Sequence, residues 1–345
     1  MARRRRTSSW AKTLERSFVA MTRTVLRAGA QVAGAQVAGV QAKAKAKAQA
    51  KKRSAVQPGA GDWIAGIALG PAGACQFRLY RPPGVRFGER LPLLVMLHGC
   101  DQDAKSFARS TRMNLIAARK RFLVLYPEQD RFANAKGCWN WFHTRSGRAY
   151  GEADLIMRAI DQVCLLYPAD RSRIAVAGLS AGASMAALLV TRQPSRFKAL
   201  VMHSGVPPGA AHSTLSAVNA MVGLRPAAPL KATPETMAGS WPPLLVIHGG
   251  QDRVVAFRNA QAAVQAWADA AGARPAPERT VQRGQRYPMT VTDFKARTAT
   301  VATLVQVGPL GHAWSGGAAS QSYSDGQGPD ASRMIWAFAE KQFSG

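Results

Sequence analysis

The stretch Arg173-Ile-Ala-Val-Ala-Gly178-Leu179-Ser180-Ala181-Gly182-Ala183-Ser184-Met185 decides the fold. An apolar run ends in G-x-S-x-G, and a helical run, Met185-Ala-Ala-Leu-Leu-Val190, follows without a gap. Strand, tight turn and helix in that order put a serine hydroxyl on a sharp bend above the end of a sheet. Gly178 and Gly182 flank Ser180 because a side chain at either place would meet the neighbouring strand or helix. The small Ala181, Ala183 and Ser184 let the helix begin close against the sheet. A serine hydroxyl is a poor nucleophile until a base takes its proton, so the motif gains meaning only from residues elsewhere.

Working outward, the same kind of buried run recurs at Leu91–Leu97, Phe122–Tyr126, Ala199–Met202, Leu244–Ile247 and Ala302–Val307. Continuous apolar runs belong to a mostly parallel sheet covered on both faces. Between them, residues 153–167 carry the stripe of a crossover helix: Leu155, Ile156, Ala159, Ile160, Val163, Leu166 and Tyr167. Cys75-Gln-Phe-Arg-Leu-Tyr80 alternates like an amphipathic strand, and Pro82-Pro83-Gly84 ends it. The expectation is one α/β domain over 61–345, a single doubly wound sheet with helices on both faces, beginning near Trp63.

Sites in such sheets form at the carboxyl ends of the strands. After Leu97 comes His98-Gly99-Cys100-Asp101-Gln102, where a backbone N–H can face that of the residue after the nucleophile; Cys100 and Ala181 are the expected oxyanion donors. His98 is expected to pack or orient this loop. After Ile247 comes His248-Gly249-Gly250-Gln251-Asp252, with Asp252 the candidate acid. After Val307 comes Gly308-Pro-Leu-Gly311-His312. Of six histidines only His312 follows the acid, and the order Ser180, Asp252, His312 is that of an α/β-hydrolase triad. The long interval between Asp252 and His312 predicts irregular or edge structure over 273–295, near the site mouth.

The charge is strongly uneven. Net charge is +27, and residues 1–53 hold 14 Lys/Arg against Glu15 alone, +13 of that total. Residues 1–60 read as a basic, Ala/Lys-rich tail, disordered or helical, with an apolar stripe at Leu14, Phe18, Met21 and Val25. Its density of cations suits a polyanion or an anionic granule surface, and a solvated tail explains it equally. No uninterrupted apolar h-region follows Arg3–Arg6 and no run has transmembrane length, so a cytoplasmic or granule-associated location is expected. Four cysteines, Cys75, Cys100, Cys138 and Cys164, are neither dense enough for a disulfide scaffold nor spaced as a zinc site, and three pairings stay open. No metal or cofactor is expected.

Taken together, His98-Gly-Cys-Asp-Gln102, Gly137-Cys-Trp-Asn-Trp-Phe142, the Ser180 turn, His248-Gly-Gly-Gln-Asp252, Gly311-His-Ala-Trp-Ser-Gly-Gly317 and Gly328-Pro-Asp-Ala-Ser-Arg-Met-Ile-Trp336 make the chain resemble the catalytic domain of polyhydroxybutyrate depolymerases and the related carbohydrate and feruloyl esterases. The resemblance runs from about residue 63 onward and implies a cofactor-free serine esterase with Ser180, Asp252 and His312 as triad. It further implies a Cys100–Cys138 pairing, and Trp139, Trp141 and Trp314 along a groove for an apolar polyester chain; ordinary core packing is the other role open to these tryptophans. Secreted members carry a signal peptide and a polymer-adsorbing domain, neither of which is read here, so amorphous granules or soluble oligomers are the expected substrate. The implied disulfide argues for export instead. Two alternatives stand beside this: a feruloyl or acetyl esterase, and a granule- or polyanion-binding organiser with a vestigial hydrolase domain.

Overall fold

The computed structural model describes residues 61–231 and 241–344 of the 345. The expectations placed on the basic tail, residues 1–60, lie outside the described residues.

Strands β1 (Asp62–Gly70) and β2 (Gly73–Arg81) form an antiparallel hairpin, and β2 pairs antiparallel with β4 (Leu123–Glu128). Five further strands continue the sheet from β4 in parallel: β3 (Leu91–Leu97), β5 (Ala169–Leu179), β6 (Ala199–His203), β7 (Leu244–Gly249) and β11 (Ala299–Val307). The six expected parallel runs fall inside β4 and these five strands, save that Phe122 precedes β4. Beyond β11 the sheet turns antiparallel again through β10 (Met289–Ala296), on which β8 (Arg274–Pro275) and β9 (Arg279–Val281) pair. The stretch expected to be irregular or edge structure is therefore the far edge of the sheet. None of its residues lines the cleft at Ser180, which corrects its expected place near the site mouth.

Both faces of the parallel strands are dry, and β3 shows why its run is continuous. Leu91, Leu93, Val95 and Leu97 join one buried cluster, while Leu94 and Met96 join the other. Each such side chain contributes about 1.5–3 kcal/mol on burial, so an alternating polar pattern would forfeit one cluster. The first face is covered by helices α3 (Arg148–Leu166), α4 (Ala181–Arg192) and α6 (Arg258–Ala271), through Ile156, Ile160, Met185, Val264 and Trp267. The second is covered by α1 (Ala104–Thr111), α2 (Met113–Lys120) and α7 (Ala331–Phe343), where the Trp336 and Phe122 rings stack at 3.6 Å. The expected crossover helix at 153–167 is α3, one turn longer at its start.

Caps fix where the short helices begin. Asp103 accepts from the Ser106 N–H at 2.6 Å while Ser106 Oγ accepts from the Asp103 N–H at 2.8 Å, a reciprocal box that starts α1 just after the His98 loop. Ser213 and Ser216 do the same for α5 (Thr214–Met221), which follows β6. Ser180, Asp252 and His312 all follow carboxyl ends, those of β5, β7 and β11.

Candidate active site

Ser180 occupies a backbone conformation that L residues seldom adopt, φ 54° and ψ −120°. The surroundings hold it there: its N–H donates to His203 O at 2.9 Å, and its own carbonyl accepts from Ser184 N at 3.1 Å. Both flanking glycines are sterically obligatory. A Cβ on Gly182 would lie 2.2 Å from Leu97 O, and one on Gly178 would lie 2.3 Å from Gly182 C. Helix α4 can then start directly beneath the serine, and Ala181, its first residue, has no acceptor for its N–H within the helix.

His312 Nε2 lies 3.0 Å from Ser180 Oγ, and His312 Nδ1 lies 2.7 Å from Asp252 Oδ2. Because a carboxylate only accepts, Nδ1 carries the hydrogen and Nε2 is left as the acceptor for the serine hydroxyl. Asp252 is fully buried as a side chain, and its second oxygen, Oδ1, accepts from the N–H groups of Val254 and Val255, each at 2.9 Å. Burial opposes its charge; the His312 hydrogen bond, the charge of His312 and the Val255 N–H outweigh it, so the carboxyl is held below its ordinary range.

Three other histidines close on the same strand ends and are neutral. His98 donates Nδ1–H to Gly99 O at 2.8 Å and accepts the Gln129 N–H at Nε2, 3.1 Å; burial brings it down to about 4. It orients the loop and touches neither Ser180 nor Asp252. His203 accepts the Ser315 N–H at Nε2, 3.1 Å, and burial takes it to about 3. His248 lies under the Asp252 turn and is also pushed down by burial.

The loop after β3 is tied to the segment at 136–142 in three ways. Cys100 and Cys138 are joined by a disulfide, Asp101 N–H donates to Lys136 O at 2.7 Å, and the Trp139 indole N–H donates to His98 O at 3.1 Å. Asn140 N–H in turn donates to Glu152 Oε2 on α3 at 2.8 Å, anchoring the segment to a helix. Between this loop and α4 lies a cleft of about 260 Å³ bordered by Ser180, Ala181, Cys100, Trp139, Trp141 and Phe142.

Of the three tryptophans expected along a groove, the structure brings Trp139 and Trp141 to the cleft. Trp314 it does not. Trp314 is fully buried, its indole N–H donates to Ser332 Oγ at 3.1 Å, and its ring stacks on His203 at 5.1 Å and meets Phe107 edge-on at 5.3 Å. Its place is under the histidine loop, as packing. Sequence reasoning missed the opposite wall, Val206, Ala217, Met221 and Val255. Val206 and Val255 sit in loops and the others on the short α5, where no long apolar run marks them. Among the described residues no group of three His, Cys, Asp or Glu could hold a metal ion, and no helix is long and apolar enough to cross a membrane.

A serine on a left-handed turn after β5, hydrogen-bonded through a histidine after β11 to an acid after β7, on a mostly parallel sheet, defines the α/β-hydrolase class. Within it the chain belongs to the Esterase PHB depolymerase family, whose model matches residues 75–283. Ser180 and Asp252 lie inside that match and His312 beyond it.

The chain is 31% identical over 194 residues to poly(3-hydroxyalkanoate) depolymerase C of Paucimonas lemoignei, covering 54% of this chain and 47% of that one. It is 27% identical over 208 residues to feruloyl esterase B of Neurospora crassa, covering 56% and 70%. The chain thus spans about half the length of the depolymerase it matches. Among solved structures, an acetyl xylan esterase from Aspergillus awamori superposes with a TM-score of 0.58 at 18% identity, covering 82% of this chain and 99% of that one, a likeness of fold.

Proposed function

We propose that the protein is a serine esterase that hydrolyses ester bonds of poly(3-hydroxybutyrate), other short-chain polyhydroxyalkanoates or their oligomers through an acyl-enzyme. The observation that carries this is the unbroken Ser180–His312–Asp252 hydrogen-bonded chain opening on an apolar cleft. His312 takes the Ser180 proton as Oγ attacks the ester carbonyl, and the alkoxide of the next hydroxyacyl unit leaves with that proton. Water repeats the cycle on the acyl-enzyme. Asp252 keeps the hydrogen on Nδ1 and stabilises the imidazolium. Cys100 and Ala181 border the cleft with Ser180, and their N–H groups are assigned to the developing oxyanion; one such donor is worth about 3 kcal/mol.

A second reading keeps the triad and changes the acyl group to feruloyl or acetyl. The aromatic side chains of Trp139, Trp141 and Phe142 along the cleft favour it, as does the larger share of the feruloyl esterase that the chain spans. Contact with a granule surface or polyanion is assigned to the tail on its composition alone, +13 over residues 1–53.

The test compares wild type with Ser180→Ala on amorphous polyhydroxybutyrate granules, a 3-hydroxybutyrate oligomer, methyl ferulate and p-nitrophenyl butyrate, following acid release. Turnover of granules and oligomer, reduced on the order of 10⁵–10⁶-fold by the substitution, is expected. Turnover of ferulate or the short ester alone moves the assignment to the second reading, and turnover independent of Ser180 overturns both.

A further inference from the structure

His248 is the penultimate residue of β7 and is wholly buried. Its Nε2 lies 2.8 Å from Val255 O, and the same nitrogen lies 3.5 Å from Asp252 Oδ2, the oxygen that accepts from His312. A carbonyl only accepts, so Nε2 carries the hydrogen. The Val255 N–H meanwhile donates to Asp252 Oδ1 at 2.9 Å. One residue is thus gripped on both sides, its N–H by the carboxylate and its carbonyl by the imidazole, and Val255 lines the cleft. The Phe257 ring closes edge-on at 5.8 Å, and His248 Nδ1 has no hydrogen-bond partner.

The groups facing His248 are Asp252, His312 and His203. Burial is the largest influence and favours the neutral ring; the Val255 carbonyl and Asp252 pull the other way, and His312 adds to burial. Neutrality has a use here. An imidazolium 3.5 Å from Oδ2 would compensate the charge that Asp252 directs at His312.

We infer that His248 is a positioning residue of the hydrolytic site: a neutral donor that fixes the Asp252–Val255 turn, so that Oδ2 stays aimed at His312 with its charge undivided. The inference rests on the proposed triad. Gln can place an N–H where His Nε2 stands, whereas the shorter Asn cannot reach the Val255 carbonyl.

The experiment follows the reaction of Ser180 with an alkyl fluorophosphonate, which needs no choice of ester. Oγ bonds to phosphorus, the P–F bond breaks, fluoride leaves and the serine proton passes to His312. Labelling rates are measured from pH 4.5 to 8.5 for wild type, His248→Asn, His248→Gln and Ser180→Ala, with the melting temperature of each. His248→Asn is expected to label about tenfold more slowly, the scale of one lost hydrogen bond in a buried site. Its acid-limb midpoint should move to lower pH, because a loosened carboxylate stabilises the His312 imidazolium less. His248→Gln should keep rate and midpoint within about twofold and a few tenths of a pH unit.

An Asn variant within twofold of wild type overturns the inference. So does a folded Gln variant that is slow, or variants slowed only through lost stability with the midpoint unmoved; should Asn not fold, Gln alone decides. Wild type that labels no faster than Ser180→Ala overturns the triad reading, and this inference with it.

Discussion

His98 and His203 are neutral because they are buried, and that sets how the molecule answers acid. Their folded values are about 4 and about 3, against an ordinary value near 6.5. The unfolded chain therefore binds two protons that the folded chain refuses as pH falls below about 6.5. Stability should drain from about pH 6.5 down to about pH 4 for His98 and about pH 3 for His203, by up to about 1.4 kcal/mol per pH unit for each histidine, and neither contributes slope above about pH 6.5 beyond the tail of its titration. Asp252 acts in a lower window: its folded carboxyl is depressed, so the stability it lends is present above the ordinary carboxylate value near 4 and is lost as pH falls through the folded value. Urea midpoints at pH 7.5, 6.5, 5.5 and 4.5 check this, and a flat profile between 6.5 and 4.5 would contradict the neutral burial of the two rings. At this scale the sequence reveals Ser180, Asp252 and His312 because each follows an apolar strand run at a known carboxyl end. Trp314 keeps two roles open in the sequence because a tryptophan beside a histidine motif reads alike whether it faces a cleft or, as here, lies beneath the loop against His203.

The elements meet tightly where α4 begins against β3. Gly182→Ala sets a Cβ against two backbone carbonyls, Leu97 O at 2.2 Å and His98 O at 2.5 Å, neither of which can rotate away. The expected cost is about 1–3 kcal/mol or more, seen as a lower melting temperature, together with a loss of turnover larger than that stability change explains, because His98 belongs to the loop proposed to bind the oxyanion. A variant with wild-type melting would refute the contact. The disulfide closes a loop of 38 residues, which the chain-entropy relation converts to about 4 kcal/mol. Cys100→Ser with Cys138→Ser should lose stability of that order, and turnover should fall further than that of a control destabilised elsewhere. The six parallel strands are legible as continuous apolar runs. Strand β1 is not, since Asp62–Gly70 is half exposed and rich in Ala and Gly. Strand β10 alternates only as far as Thr292: Met289 and Val291 join one buried cluster, Asp293 stands where the next apolar residue would, and Phe294 joins the other cluster.

For the whole molecule, 46 basic residues against 19 acidic ones make electrostatics long-ranged at low salt. Removing residues 1–53 leaves 32 against 18, a net charge of +14 in place of +27. The shortened chain should elute from a polyanion column at lower salt and keep its turnover on a soluble ester. Equal elution would remove the tail from any polyanion contact, and lost turnover would make it part of the catalytic unit.

The order of the triad along the chain carries a consequence for synthesis. Ser180 follows β5 and Asp252 follows β7, whereas His312 comes only after β11, the strand that docks beside β7. A nascent chain that has left the ribosome through residue 283 holds its nucleophile and its acid with nothing to draw off the serine proton. On the proposed triad, serine reactivity is acquired only when β11 takes its place in the sheet, so its onset times that docking event.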